Sequence, residues 1–516
     1  MTLASLALRL WRINFQSFWL DEAHTAFYIN GQSPRVIFER FTRPGENGPV
    51  YYLLLLPWRE VFGGGEASLR GFSVLAATLA VPVTWLALRR LVGTRDALVT
   101  TAFVAFAPYL TWYAQEAKMY ALALLAGVTS LWLLMEAIHR GGIWRWVAYG
   151  MAALVSVYVH FFALLSISAH AVAAAVLTWP HRRRLGAAWM TIALVLTPVL
   201  AWQAIAIGRD VAGSGASMSS GHLTLTARIG ILAYAYAMNV TPAPLPLVVF
   251  GSVTLAIVGT AVAVGPAVAT IRGSGIAATW ATGLPDAARG TLALAVLAWS
   301  PLIAHTVAMA ALGAGLFADR YFVAIVPMIY GLASLALGAV TSRSIIAGAV
   351  LGAVVVIAAG RAAIYQVTVL VKDDFRRAMA LHRGGKGERD AVVPIPQYLS
   401  YPVDYHSPPG LDVVIVDMEK PPVDYAAKFE GRTGVWIIAN VPDRYLPLRD
   451  LNDWLVAHAT LASDDTVTGG VTVKHWLLDG GCDAAPSPDG SWGPPTIERP
   501  CVEGLRSTPE LLVVRP

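Results

Sequence analysis

Apolar residues run through the first three quarters of this chain in long blocks rather than in alternation. Eleven blocks, at about 3–18, 71–91, 97–114, 119–138, 146–159, 161–179, 187–207, 245–270, 291–312, 321–340 and 344–368, approach the ~20 residues that a bilayer-crossing helix needs. The first is the weakest, being short and holding Arg9 and Arg12. It reads as a tilted, partly interfacial helix or as the end of a longer segment that begins upstream, and no small-residue cleavage pattern follows it before Trp19. Past Val371 the pattern changes. Runs with β-strand character at 390–394, 411–416, 435–440, 471–478 and 511–515 alternate with helical patterns at 373–383 and 446–459, which predicts a small α/β domain around a central sheet. The expected fold class is mainly α: a polytopic helical bundle over residues 1–371, followed by an α/β domain over 372–516.

Composition sharpens the reading. Of 516 residues 56% are hydrophobic and only 14% charged, more apolar side chain than a water-soluble core can use, so the bilayer is the expected solvent. The net charge of +5 comes mainly from Arg, since Lys occurs only six times, and that bias with the abundant Ala, Gly and Val points to a GC-rich bacterial genome. Placing the N-terminus inside puts eleven Arg in the inner loops, among them Arg89, Arg90, Arg182, Arg183 and Arg184, and leaves Lys118, Arg209, Arg228 and Arg320 in the short outer ones. The positive charge therefore belongs to cytoplasmic loops and not to nucleic-acid binding, and no nucleic-acid partner is expected. This topology puts loop 19–70 and everything after about residue 371 on the extracytoplasmic side of a multi-pass cell-membrane protein.

Loop 19–70 is unusually long, with helical stretches at about 21–30 and 50–62 around the turn-rich Thr42-Arg43-Pro44-Gly45-Glu46-Asn47-Gly48-Pro49, and reads as an amphipathic platform on the membrane. A second outer loop, about 208–225, is rich in Gly and Ser and reads as a flexible linker. Two cysteines, Cys482 and Cys501, lie in the polar C-terminal part; if that part is exported a disulfide between them is expected, the alternative being two free thiols. No glycine-rich phosphate loop follows any predicted strand, so nucleotide binding by the C-terminal domain is unsupported.

Ionisable residues beside apolar spans cost several kcal/mol unless they face protein or water, which makes each a functional candidate. One face collects a set: Asp21 and Glu22 directly after Phe18-Trp19-Leu20, Gln115, Glu116 and Lys118 within Trp112–Tyr120, His160, and Asp319-Arg320-Tyr321. Glu116 and Tyr120, four apart, are expected to share a helical face with Trp112, as substrate-facing residues would. A carboxylate suits a base that takes the proton of an attacking hydroxyl, and cations at the outer headgroup plane suit a phosphate leaving group. The blander uses are a helix cap for Asp21, snorkelling for Lys118 and Arg320, an aromatic belt around Glu116, and a satisfied structural imidazole for His160. His160 has no second His or Cys at ligand spacing, so no metal or other cofactor is expected to be required, although Asp21 and Glu22 lie close enough to share a divalent ion.

Here the chain resembles the GT-C superfamily of polytopic glycosyltransferases, in the bacterial branch related to protein mannosyltransferases and to the lipid A aminoarabinose transferase. The resemblance rests on Trp19-Leu20-Asp21-Glu22-Ala23, on Gly48-Pro49-Val50-Tyr51-Tyr52, on Phe62-Gly63 with Arg70, and on Pro108 through Tyr120, covering about residues 15–165 well and Arg320 to Pro327 more loosely. Lys118 stands where that family usually has Arg, and Glu46-Asn47-Gly48-Pro49 replaces its His-Pro-Pro. The resemblance implies a hexosyl or pentosyl transferase, inverting, that takes a polyprenyl-phosphate sugar as donor and a lipid, glycan or protein hydroxyl as acceptor. It implies Asp21 as catalytic base with Glu22 beside it, Lys118 and Arg320 on the donor phosphate, and Glu46, Gln115, Glu116, Tyr120 and His160 around the substrate. The competing classes are a transporter or lipid flippase, which should show repeated halves and interrupted helices, and a noncatalytic anchor, which needs no outer-face acidic pair.

Overall fold

The computed structural model describes residues 1–479 apart from 44–45, 180, 212–222, 313–316, 388, 408–409 and 417–422; the side chains of 203–211, 277, 280–281 and 312 also lie outside the described set, as do Cys482, Cys501 and the strand expected at 511–515. The chain divides into two compact units, Met1–Lys372 and Asp373–Pro516.

The first unit is helical throughout and multi-pass. Among the described residues seven helices are long and apolar enough to cross a membrane: Glu66–Phe106, Tyr120–Arg140, Arg182–Trp202, Leu245–Ser274, Asp286–Ala311, Asp319–Arg343 and Ile345–Thr368. Shorter apolar helices, Ile143–Val159, Ala163–Thr178 and Leu225–Met238, join them. The eleven apolar blocks all fall on helices, with three adjustments. The first block is helical only over Thr2–Leu10. The 41-residue element Glu66–Phe106, at ~1.5 Å per residue about twice the bilayer core, is broken at Gly93, whose φ of 80° few side chains tolerate, and so supplies two limbs. Helix Leu225–Met238 has no counterpart among the blocks.

Burial ranks the helices. The most apolar window of Tyr120–Arg140 is 67% buried, whereas those of Leu245–Ser274 and Ile345–Thr368 are 11% buried, which makes the former the centre of the bundle and the latter two its lipid-facing periphery. The main core gathers Leu91, Leu131, Met135, Tyr149, Ile167, Leu294 and Leu332 from six helices. Loop 19–70 forms three helices, Leu20–Gly31, Pro34–Phe41 and Val50–Phe62. Its turn is held at Gly48, which has φ 94° and sits so close to the Tyr158 carbonyl that a Cβ would approach the oxygen to 2.3 Å; no residue but Gly fits.

The second unit is a four-stranded sheet in the order β1-β2-β4-β3, with β1 Ala391–Ile395, β2 Gly434–Ala439, β3 Ala459–Val467 and β4 Val471–Leu478. β1 and β2 are parallel and the other pairs antiparallel. Strands β1 and β2 are buried on both faces: Val393, Val435 and Ile437 pack with Leu448, Leu451 and Leu455 of helix Leu446–His458, while Val392, Trp436 and Ile438 pack with Phe375 and Met379 of helix Phe375–Gly385. This period-two division is why the strands read as continuous apolar runs. The run at 411–416 contributes only a bridge from Val413 to Val392, and β3 appears where no strand was expected.

Candidate active site

Two acids side by side are sorted by the helix that carries them. Helix Leu20–Gly31 is capped by Trp19, so Asp21 lies inside its first turn rather than at the cap. The ~100° step between neighbours turns Glu22 inward and leaves Asp21 half-exposed. Glu22 is fully buried and its oxygens are spent: Oε1 accepts from Arg70 Nε at 2.7 Å and the Ala117 N–H at 2.9 Å, and Oε2 accepts from Arg70 Nη2 at 2.7 Å and Lys372 Nζ at 2.9 Å. Burial alone would raise this carboxyl, but Arg70 and Lys372 outweigh it and hold it near 2, against an ordinary 4.5. Glu22, grouped with Asp21 in the sequence reading, thus has both oxygens committed to Arg70, Lys372 and the Ala117 N–H, and it anchors the helix. The Asp21 carboxylate accepts no hydrogen bond among the described residues; only its backbone carbonyl is used, by Thr25 Oγ1 at 3.1 Å and Lys118 Nζ at 3.3 Å.

The segment facing it does not continue as one helix. Helix Pro108–Ala114 stops, residues 115–119 turn, and the next helix begins at Tyr120. Trp112, Glu116 and Tyr120 thus share no helical face, and the turn exists because the Ala117 N–H is given to Glu22. Gln115 donates to the carbonyls of Arg9 and Trp11 at 2.9 Å each, and so ties down the N-terminal helix. Glu116 is 1% exposed; Oε1 accepts from the Trp19 indole at 3.0 Å and Oε2 has no partner among the described residues. Burial, with Glu22 and Asp21 nearby and Lys372 opposing, pushes its carboxyl up to about 6. Lys118, 3% exposed, does not snorkel: its ammonium lies 5.9 Å from the Tyr52 ring centre and stays charged because Tyr52 and Asp21 outweigh the effect of burial.

Arg320 opens the tenth apolar block from a 3₁₀ turn, Asp319–Ile325, within electrostatic reach of Tyr120, Asp21, Tyr113 and Glu116, and its buried Nε has no partner among the described residues. His160 ends helix Ile143–Val159, buried, its ring 5.9 Å from Tyr120 and 6.0 Å from Tyr321. Glu46 is used elsewhere: it pairs with Arg40 at 2.7 Å and braces the turn at Gly48. The structure thus gathers Asp21, Glu116, Lys118, Tyr120, His160 and Arg320, and sets Glu22, Glu46 and Gln115 to structural tasks. It adds residues not proposed from sequence: Tyr52, His24, Trp19, Arg70 and Lys372. His24 is held neutral, burial and Lys118 pulling its imidazole to about 3. A cavity of about 680 Å³ opens beside this cluster, lined by Trp112, Tyr113, Ile231, Tyr234, Asn239 and Asp319, with the Tyr113 hydroxyl donating to Asp319 at 3.1 Å.

Membrane-length helices, a helical loop 19–70 carrying the Asp21 carboxylate, and the cations Lys118 and Arg320 near it are what the comparisons with known proteins can be set against. Residues 46–202 match the family model described as dolichyl-phosphate-mannose-protein mannosyltransferase. The fold is similar to that of ArnT from Cupriavidus metallidurans, at 13% identity over 92% of this chain and 96% of that one, with TM-scores of 0.55 for its apo state and 0.53 for its form bound to undecaprenyl phosphate. It is also similar to the archaeal oligosaccharyltransferase AglB from Archaeoglobus fulgidus, in complex with an inhibitory peptide and a dolichol-phosphate, at 11% identity over 92% of this chain and 74% of that one, TM-score 0.51. No curated protein matches the chain in sequence. The chain is a multi-pass membrane protein whose fold is similar to that of ArnT, and its residues 46–202 match the mannosyltransferase family model.

Proposed function

We propose that the chain is a glycosyltransferase that moves a sugar from a polyprenyl-phosphate donor to an acceptor hydroxyl on the extracytoplasmic side, with Asp21 as base. The observation that carries this reading is a carboxylate without hydrogen-bond partners among the described residues, set against buried Lys118 and partly buried Arg320, which no described carboxylate contacts directly. Asp21 takes the acceptor proton as the oxygen attacks the anomeric carbon from the face opposite the phosphate. The bond from that carbon to the phosphate oxygen breaks, its electron pair leaves with the polyprenyl phosphate, and the configuration inverts. Lys118 and Arg320 meet the charge that gathers on the departing oxygen. The ligands bound in the structures of similar fold, undecaprenyl phosphate and dolichol-phosphate, support the donor class, and the largely apolar cavity beside the cations suits isoprenyl units.

The test is release of polyprenyl phosphate from a labelled lipid-phosphate sugar by the purified chain, with the label appearing in the acceptor. A transporter or anchor leaves the donor intact. Lys118→Ala and Arg320→Ala should each weaken donor binding roughly tenfold or more, the value of one charge-assisted contact to phosphate, because the phosphate is already present in the ground state.

Glu116 makes donor binding pH-dependent. Below about pH 6 it is neutral and the site is more positive; above, it adds a negative charge near the phosphate. Donor affinity should fall as pH rises through about 6, and Glu116→Gln should flatten that step in a binding titration run from pH 5 to 8.

A further inference from the structure

Lys372 is the last residue of the membrane unit, and nothing in its sequence context marks it. Its Nζ donates to Glu22 at 2.9 Å and sits 5.6 Å from the Trp19 ring centre and 5.2 Å from that of Trp112, so the ammonium is caged between two indoles and is almost wholly buried. Such a cage selects a cation and fixes where it stands. The backbone leading to it is fastened as firmly. Gln16 donates to the carbonyls of Gln366 at 2.8 Å and Val369 at 2.7 Å, and its Oε1 accepts the N–H groups of Val371 at 2.9 Å and Lys372 at 3.2 Å. Arg70 grips the other side of the same turn through the carbonyls of Ile13, Gln16 and Ser17. Two of the caged ammonium's neighbours lead straight to the reacting region: Glu22 is the residue next to Asp21, and Trp19 donates to Glu116.

We propose that Lys372, seated between Trp19 and Trp112 and delivered by the Gln16 clasp, is a positioning residue that sets the orientation of Asp21 through Glu22 and the charge of Glu116 through space. This rests on the glycosyltransferase reading and adds segment 366–372 to the machinery. The charged groups that face the ammonium are Glu22 on helix Leu20–Gly31, Glu116 in the turn 115–119, and Arg70 across Glu22. A displaced or missing cation here costs Glu22 one of its two countercharges and removes the main charge that opposes protonation of Glu116.

The test uses the full chain with Lys372→Met, which keeps the length of the stem, and Lys372→Arg, which keeps the charge. In the substrate-free protein, infrared titration of the buried carboxyl assigned by Glu116→Gln should move to higher pH in Lys372→Met and return towards wild type in Lys372→Arg. In the transfer assay kcat should fall roughly 10–100-fold in Lys372→Met, the size of one lost charge-assisted hydrogen bond, with a smaller change in donor KM and partial rescue by Arg. An unchanged carboxyl titration in Lys372→Met overturns the proposal, as does a loss of kcat that Arg does not relieve. A wild-type chain that titrates as described but transfers no sugar instead overturns the glycosyltransferase reading.

Discussion

Asp21→Asn should lower sugar transfer ~10²–10⁴-fold while leaving donor binding close to wild type. The substitution keeps the size and planar shape of the side chain and removes only the ability to take a proton. Because the Asp21 carboxylate makes no hydrogen bond among the described residues, an amide there breaks no existing contact, so the loss falls on turnover and not on folding. Its separation from the phenotype of Lys118→Ala or Arg320→Ala is the informative part: those cations are met by the ground-state phosphate, whereas the base acts only as the acceptor oxygen attacks. Steady-state transfer with a defined donor and acceptor, alongside a donor-binding isotherm, reads both. Near wild-type turnover by Asp21→Asn would make another group the base, and Glu116 then becomes the carboxylate best placed for it, since Glu22 and Glu46 are committed to ion pairs.

Glu22→Gln should destabilise the membrane unit by ~3–5 kcal/mol, the usual cost of removing one member of a buried ion pair. The neutral amide would leave Arg70 and Lys372 as buried charges, and would aim an NH₂ group at one of them. Denaturant unfolding of the solubilised chain measures the loss. The double variant Glu22→Gln/Arg70→Met should recover part of it, because one uncompensated charge goes with the Arg, yet transfer should stay low because helix Leu20–Gly31 has lost its anchor. The pH dependence has a definite sign. The folded carboxyl titrates near 2 against an ordinary 4.5, so its stabilisation is fully present above about pH 4.5 and disappears as the pH falls through 2.

The bundle was legible because a bilayer-spanning helix must hide its whole backbone inside itself, which writes an unbroken apolar block into the sequence. Helix Leu225–Met238 escaped because 14 residues next to a Gly- and Ser-rich stretch fall short of a span. Strand β3 escaped because Ala459–Val467 includes Ser463, Asp464 and Asp465 and is mostly exposed; it is a strand through its pairing with β4, not through its own pattern. In the site, Asp21, Lys118 and Arg320 were visible as ionisable residues beside spans. The division of labour between Asp21 and Glu22 was visible only as an angle on a helix. The tasks of Gln115 and Glu46 were not visible, since a polar side chain that binds a backbone carbonyl or an Arg looks the same in sequence as one that binds a sugar. The break at 115–119 is imposed from outside, by the carboxylate of Glu22, and no local propensity announces it.

The Glu22 ion pairs also place the site in time. Glu22 and Arg70 leave the ribosome early, but the second cation lies 350 residues beyond Glu22, which at ~5–20 residues per second is roughly 20–70 s of synthesis. Until Lys372 arrives, the nascent protein holds Glu22 with Arg70 alone, and the turn at Gln16 has no strap to close. Asp21, the proposed base, is thus among the first residues made, while the ion pairs that anchor its helix are completed only once Lys372 has been added.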